Sequence, residues 1–147
     1  MFDKVKYIEL SGEKYPYKCD LFLLEKIQEE YKDLSAYENM LTGFTPQRDN
    51  NGEIVRNEEG LMIGTYETPN IGFLKEALYN MISEGIEIAK EEGEAYELID
   101  KDHILRKVDM SPRELSDLLH EEFSRCFVRK NPKTTQGKTE KKETEKK

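Results

Sequence analysis

The chain has no tryptophan, only two cysteines and two histidines, and no apolar run approaching the ~20 residues that cross a bilayer. Each shortage removes a class of function. Cys19 and Cys126 lie too far apart in sequence to suggest a disulfide framework or zinc-ligand spacing. His120-Glu121-Glu122 begins like a zincin helix, but Ser124 stands where the second histidine belongs. Exposed or capping roles are therefore the expectation for His103 and His120. No glycine pattern resembles a phosphate loop. Paired acids such as Glu29-Glu30 and Glu121-Glu122 read as solvated faces, so no catalytic, cofactor or metal site is expected. The opening MFDKVKY lacks the apolar core of a signal peptide, and a cytoplasmic protein is the expectation.

Positive charge is also scarce, and unevenly placed. Residues 1–128 carry 15 basic and 28 acidic side chains, a net of −13, whereas residues 129–147 carry 8 basic and 3 acidic, a net of +5. An acidic body repels nucleic acid, which disfavours binding along a basic stripe. The tail KNPKTTQGKTEKKETEKK has no apolar residue to pack and reads as disordered. Residues 1–128 are expected to form one domain.

What is present is periodicity. KVKYIEL reads as a strand, with Val5 and Tyr7 in one phase and Ile8 and Leu10 in the other. Ser11-Gly12 has turn chemistry, and Tyr15 to Cys19 reads as a return strand. Pro16 cannot donate to a ladder and places that strand at an edge. Asp20 is suited to cap a helix whose apolar positions are Leu21, Leu24, Ile27 and Tyr31, with Phe22 and Leu23 widening the stripe. Ser35 and Glu38 fit a capping box for a short helix ending near Gly43. From Phe44 to about Glu67, the turn signals Asn50-Asn51-Gly52 and Glu58-Glu59-Gly60 predict a projecting hairpin or mobile loop.

Thr68-Pro69 predicts the next helix start, with Ile71, Leu74, Leu78, Met81 and Ile82 inward and Gly85 as the stop. Ile86-Glu87-Ile88 then reads as a short extended link. Asp100 caps a third long segment with Ile104, Leu105 and Val108 inward. Ser111-Pro112-Arg113-Glu114 opens a final helix carrying Leu115, Leu118, Leu119, Phe123, Cys126 and Phe127. The expected fold is α+β and mostly α-helical. It comprises a short N-terminal β-hairpin, four to five helices, a projecting insertion over 44–67 and a disordered tail over 129–147.

Cys19 sits at the start of the first long helix, where the helix dipole lowers a thiol pKa. Asp20 opposes that effect, and no base is in place, so Cys19 reads as a small buried hydrophobe at a strand-to-helix seam. Surplus apolar positions instead point to protein binding. Phe22 and Leu23 on the first helix, and Phe123 and Phe127 on the last, are the candidate partner-binding residues, each with a competing reading as core.

The run YIELSGEKYPYKCDLFLLEKIQEEY, then DLSAYENMLTGFTP, a polar hairpin with NNGE, TPNIGFLKEALYNMISEGIEI and MSPRELSDLLHEEFSRCF resembles the tail assembly chaperones of phages and prophages of Gram-positive bacteria. The likeness covers Tyr7 to about Phe127 and lies in element order. It implies a protein that binds the tape measure protein, keeps its apolar helices soluble in the host cytoplasm and helps gather tail-tube subunits. It also implies self-association into rings or stacks, and a longer form made by frameshifting near Gly137-Lys138 or Lys141-Lys142. Two other functions remain open at this point. One is a minor tail or head–tail connector protein that stays in the virion. The other is a small nucleic-acid-binding regulator using the last helix and the basic tail.

Overall fold

The computed structural model describes residues 5–97 and 100–128. The expected charged tail lies outside the described residues. Among the described residues the fold is α+β and mostly helical, with five helices, an N-terminal antiparallel hairpin and a second small hairpin.

Strands β1 (Lys6–Leu10) and β2 (Glu13–Tyr17) pair with Leu10 opposite Glu13. Ser11 and Gly12 both take positive φ, 51° and 85°, as the two-residue turn between right-twisted strands requires. Of the two phases in β1, the structure buries Ile8 and Leu10 and exposes Tyr7. Tyr15 through Cys19 are all buried, because this stretch lies against the longest helix, α3 (Ile71–Glu91). The Lys18 amide donates to the Met81 carbonyl at 2.9 Å. At Gly85, a Cβ would lie 2.5 Å from the Pro16 carbonyl carbon and 2.6 Å from the Tyr17 nitrogen.

That contact overturns the expected stop at Gly85. The glycine is a notch in mid-helix where strand backbone enters, and Ile86, Ile88 and Ala89 continue α3 as buried helical residues. The extended link predicted at Ile86–Ile88 does not exist.

Helix α1 (Leu21–Tyr31) is capped by Asp20, whose side chain accepts from Leu23 N at 3.0 Å. Leu23, Leu24 and Ile27 face the core. Helix α2 (Leu34–Thr42) is capped by Asp33 rather than Ser35, and Gly43 ends it at φ 79°. The Asp33 carboxylate accepts from the Ser35 amide, and Glu38 reaches His120 instead of closing a box. For α3 the cap is Asn70, two residues beyond Thr68. Helix α4 (Lys101–Lys107), capped by Asp100 as expected, has only seven residues and buries Ile104. Helix α5 (Pro112–Arg125) opens on the predicted Ser111–Glu114 capping box. The helices and first hairpin share one core, crossed by a chain of rings running Tyr31, Phe73, Tyr37 and Phe123 and ending at the surface on Phe127, with consecutive contacts such as Tyr37–Phe73 at 5.0 Å.

The insertion is an ordered arm. Strands β3 (Phe44–Pro46) and β4 (Gly64–Tyr66) form its base, and two tight turns form its lobes. In the first lobe Asp49 Oδ1 accepts from Asn51 N and Glu53 N, and Arg48 donates to the Gly52 carbonyl. Eight residues later the pattern recurs: Asn57 Oδ1 accepts from Glu59 N and Leu61 N, and Arg56 donates to the Gly60 carbonyl. At the centre, Gln47 N donates to Ile63 O, Ile63 N to Val55 O, and Val55 N to Gln47 O. These three residues, spaced by eight, close a ring of backbone hydrogen bonds. Arg113 of α5 holds the arm's root, donating to the Thr42 and Glu67 carbonyls at 2.9 Å each.

Candidate partner-binding face

The strand-to-helix seam at Cys19-Asp20 is where the N-terminal hairpin, α1 and the end of α5 converge. Its backbone is held by a buried carboxylate. Glu122 on α5 is fully enclosed and accepts from the Cys19 amide at 2.8 Å. Arg125, one turn on, donates to both Glu122 oxygens (2.9 and 2.8 Å) and to the Cys19 carbonyl at 2.8 Å. Lys6 Nζ lies 3.7 Å from Glu122. A buried carboxylate with fork-shaped arginine hydrogen bonds and a backbone donor is fully satisfied, and it fixes the register of α5 against the seam.

Ionisation at the seam follows this enclosure. Burial, with a smaller contribution from Glu122, pushes the Tyr17 phenol up to about 12. Burial also raises Glu84 of α3 to about 8, helped by the Asp20 carboxylate beside it. Cys19 is raised by its hydrogen bond with the Cys126 thiol and by burial. Among the described residues, no group of three or more His, Cys, Asp or Glu is placed to hold a metal ion. His120 pairs with Glu38 at 2.8 Å, and among the described residues no helix is long and apolar enough to cross a membrane.

Of the four apolar residues singled out in the sequence, two are surface and two are core. Phe22 is 59% exposed and Phe127 is 56% exposed. Leu23 at 3% and Phe123 at 2% are core, which corrects their reading as binding residues. The reason for α1 is angular. Leu23, Leu24 and Ile27 centre its inward stripe, and at 100° per residue Phe22 lies roughly 150° away. Phe123 lies between the rings of Tyr37 and Phe127, each within 5.4 Å. It therefore supports Phe127 from beneath.

The structure adds two residues that periodicity hid. Leu21, expected inside, is 78% exposed, and Val128 is 68% exposed. Both line one shallow groove of about 160 Å³ with Lys18, Cys19, Asp20, Arg125 and Cys126. The sequence signal for Leu21 was its place at the first helical position, where a side chain overhangs the turn before it. Val128 lies beyond the last helical turn and carries no periodic signal. Compared with protein-family models, with curated proteins and with solved structures, the chain finds no match.

Proposed function

We propose that this chain is a phage tail assembly chaperone. It binds the tape measure protein in the cytoplasm of a bacterial host, keeps it soluble and helps recruit tail-tube subunits. The observation that carries the reading is the exposed apolar set Leu21, Phe22, Phe127 and Val128, of which Leu21 and Val128 border one groove at the seam. The helices around it are capped and their inward stripes filled, so these four side chains are surplus to the fold. Exposed apolar groups beside a groove suit an amphipathic helical client. The acidity of the body opposes its own aggregation while such groups stay open.

Co-expression with the longest downstream reading frame for a helical protein tests this. The expectation is that the client is insoluble alone, but soluble and co-purified with this chain. The double variant F22S/F127S should remain folded yet lose most of the capture. Failure of the wild-type chain to solubilise the client rejects the reading.

The ordered arm held by Arg113 supports a second reading, a minor tail or connector protein that uses the arm as a permanent contact. That protein would be found in purified virions, from which a chaperone is absent.

A further inference from the structure

We propose that Cys19 and Cys126 form a dithiol modification site, which closes to an intramolecular disulfide by exchange with a low-molecular-weight disulfide of the glutathione class. The two residues are 107 positions apart, and the packing of α5 on the seam brings them together. Cys126 Sγ lies 2.6 Å from the Cys19 carbonyl oxygen and donates to it. Both are free thiols, Cys19 fully buried and Cys126 half-buried, and both line the groove between Leu21 and Val128. The pair is also held in place. Glu122 binds the Cys19 amide, Arg125 binds the Cys19 carbonyl, and Cys126 directly follows Arg125. A site so clamped keeps the Cys126 sulfur against the Cys19 backbone without help from a ligand.

The two thiols are unequal. Their mutual hydrogen bond lowers the Cys126 pKa, assisted by Arg125 beside it, and raises that of Cys19, which burial raises further. Glu122 and Asp20 oppose thiolate formation at both. Cys126 is therefore the attacking sulfur and Cys19 the resolving one. In the first step the Cys126 thiolate attacks one sulfur of the small disulfide, breaks its S–S bond and releases one small thiolate. In the second, Cys19 attacks the Cys126 sulfur of the mixed disulfide, the second small thiolate leaves, and the Cys19 proton passes to it. The protein loses two electrons and two protons, and the small disulfide becomes two thiols. The product ties the end of α5 to the start of α1 at the groove's floor, whichever partner the groove receives.

The test treats the folded full-length chain with oxidised glutathione at neutral pH, traps remaining thiols by alkylation and maps peptides without reduction. The expected result is a cross-linked Cys19–Cys126 peptide in monomeric protein, loss of both alkylatable thiols, a melting temperature raised by several degrees and full reversal by a phosphine reductant. C19S should stop at one stable glutathione adduct on Cys126. C126S should leave the buried Cys19 unmodified until the protein unfolds. A folded wild-type chain that retains both thiols, or that forms only intermolecular cross-links, overturns the proposal. So does cross-linking that needs denaturant. The wild-type peptide map decides the matter even where a serine variant folds poorly.

Discussion

The two hairpins of this protein are held by opposite means. The N-terminal hairpin has five residues in a row buried, Tyr15 to Cys19, and borrows its stability from α3 and α5: backbone pressed into the notch at Gly85, and an amide bound to Glu122. The arm between Phe44 and Tyr66 buries almost nothing. It is held by carboxylate, amide and guanidinium side chains bonded to its own backbone, and by Arg113 at its root. Long-range contacts make the first hairpin part of the global fold, while local contacts make the arm a self-standing attachment. Damage to the first should therefore unfold the molecule, and damage to the second should stay where it is made.

The most severe break is expected from E122A. It leaves Arg125 without its carboxylate and the Cys19 amide without an acceptor, at a cost of about 3–5 kcal/mol in chemical denaturation. G85A comes next, because its methyl meets the Pro16 backbone rather than a movable side chain. A loss of about 2–3 kcal/mol is expected. In both variants amide exchange should accelerate throughout the core. If either accelerates exchange only in residues 6–19, the first hairpin is not integral to the fold.

A titration sharpens the same contrast. Glu84 has a folded-state pKa of about 8, well above the ordinary carboxylate value of 4.5. Its contribution to stability is thus fully present below about pH 4.5 and is lost as pH rises through 8. Wild-type stability relative to E84Q should fall progressively across that window, while amide exchange in the arm keeps the same protection relative to E84Q. A difference that stays flat with pH would show that the fold does not raise the Glu84 pKa.

Milder still is N57A, which removes the acceptor for the Glu59 and Leu61 amides at a cost of about 1 kcal/mol. Faster exchange should be confined to residues 57–61, and a global effect would contradict the arm's independence. F22S should change stability by less than about 0.5 kcal/mol, since Phe22 faces away from the core. Its effect should appear in client capture alone, and unfolding would return Phe22 to the core.

The parts of the fold that were legible in sequence are those settled by neighbours in the chain. Asp20, Asp100, Gly43 and the Ser111–Glu114 box act within one helical turn, and each was readable. Where two capping residues stood within a few positions, the sequence could not choose, and Asp33 and Asn70 prevailed over Ser35 and Thr68. Gly85 misled because a helix stop and a close backbone approach both require glycine. The inward spacing that continues through Ile86 and Ala89 was the signal that favoured helix. The arm's eight-residue repeat was also present, with Arg48 and Arg56, Asp49 and Asn57, and Gly52 and Gly60 in register. At the candidate face, Phe22 and Phe127 were legible as surplus. The meeting of Cys19 with Cys126 was not, because nothing local encodes a contact over that separation.

The carboxylate beneath Cys19 also sets an order of events during synthesis. The hairpin leaves the ribosome well before α5, and its amide anchor at Glu122 is made 103 positions later than the group it binds. Until that residue emerges, Tyr15 to Cys19, buried in the finished fold, are without their lock. A segment translated before all five helices is therefore among the last to be secured, and a nascent chain stalled before α5 would present it to whatever lies nearby.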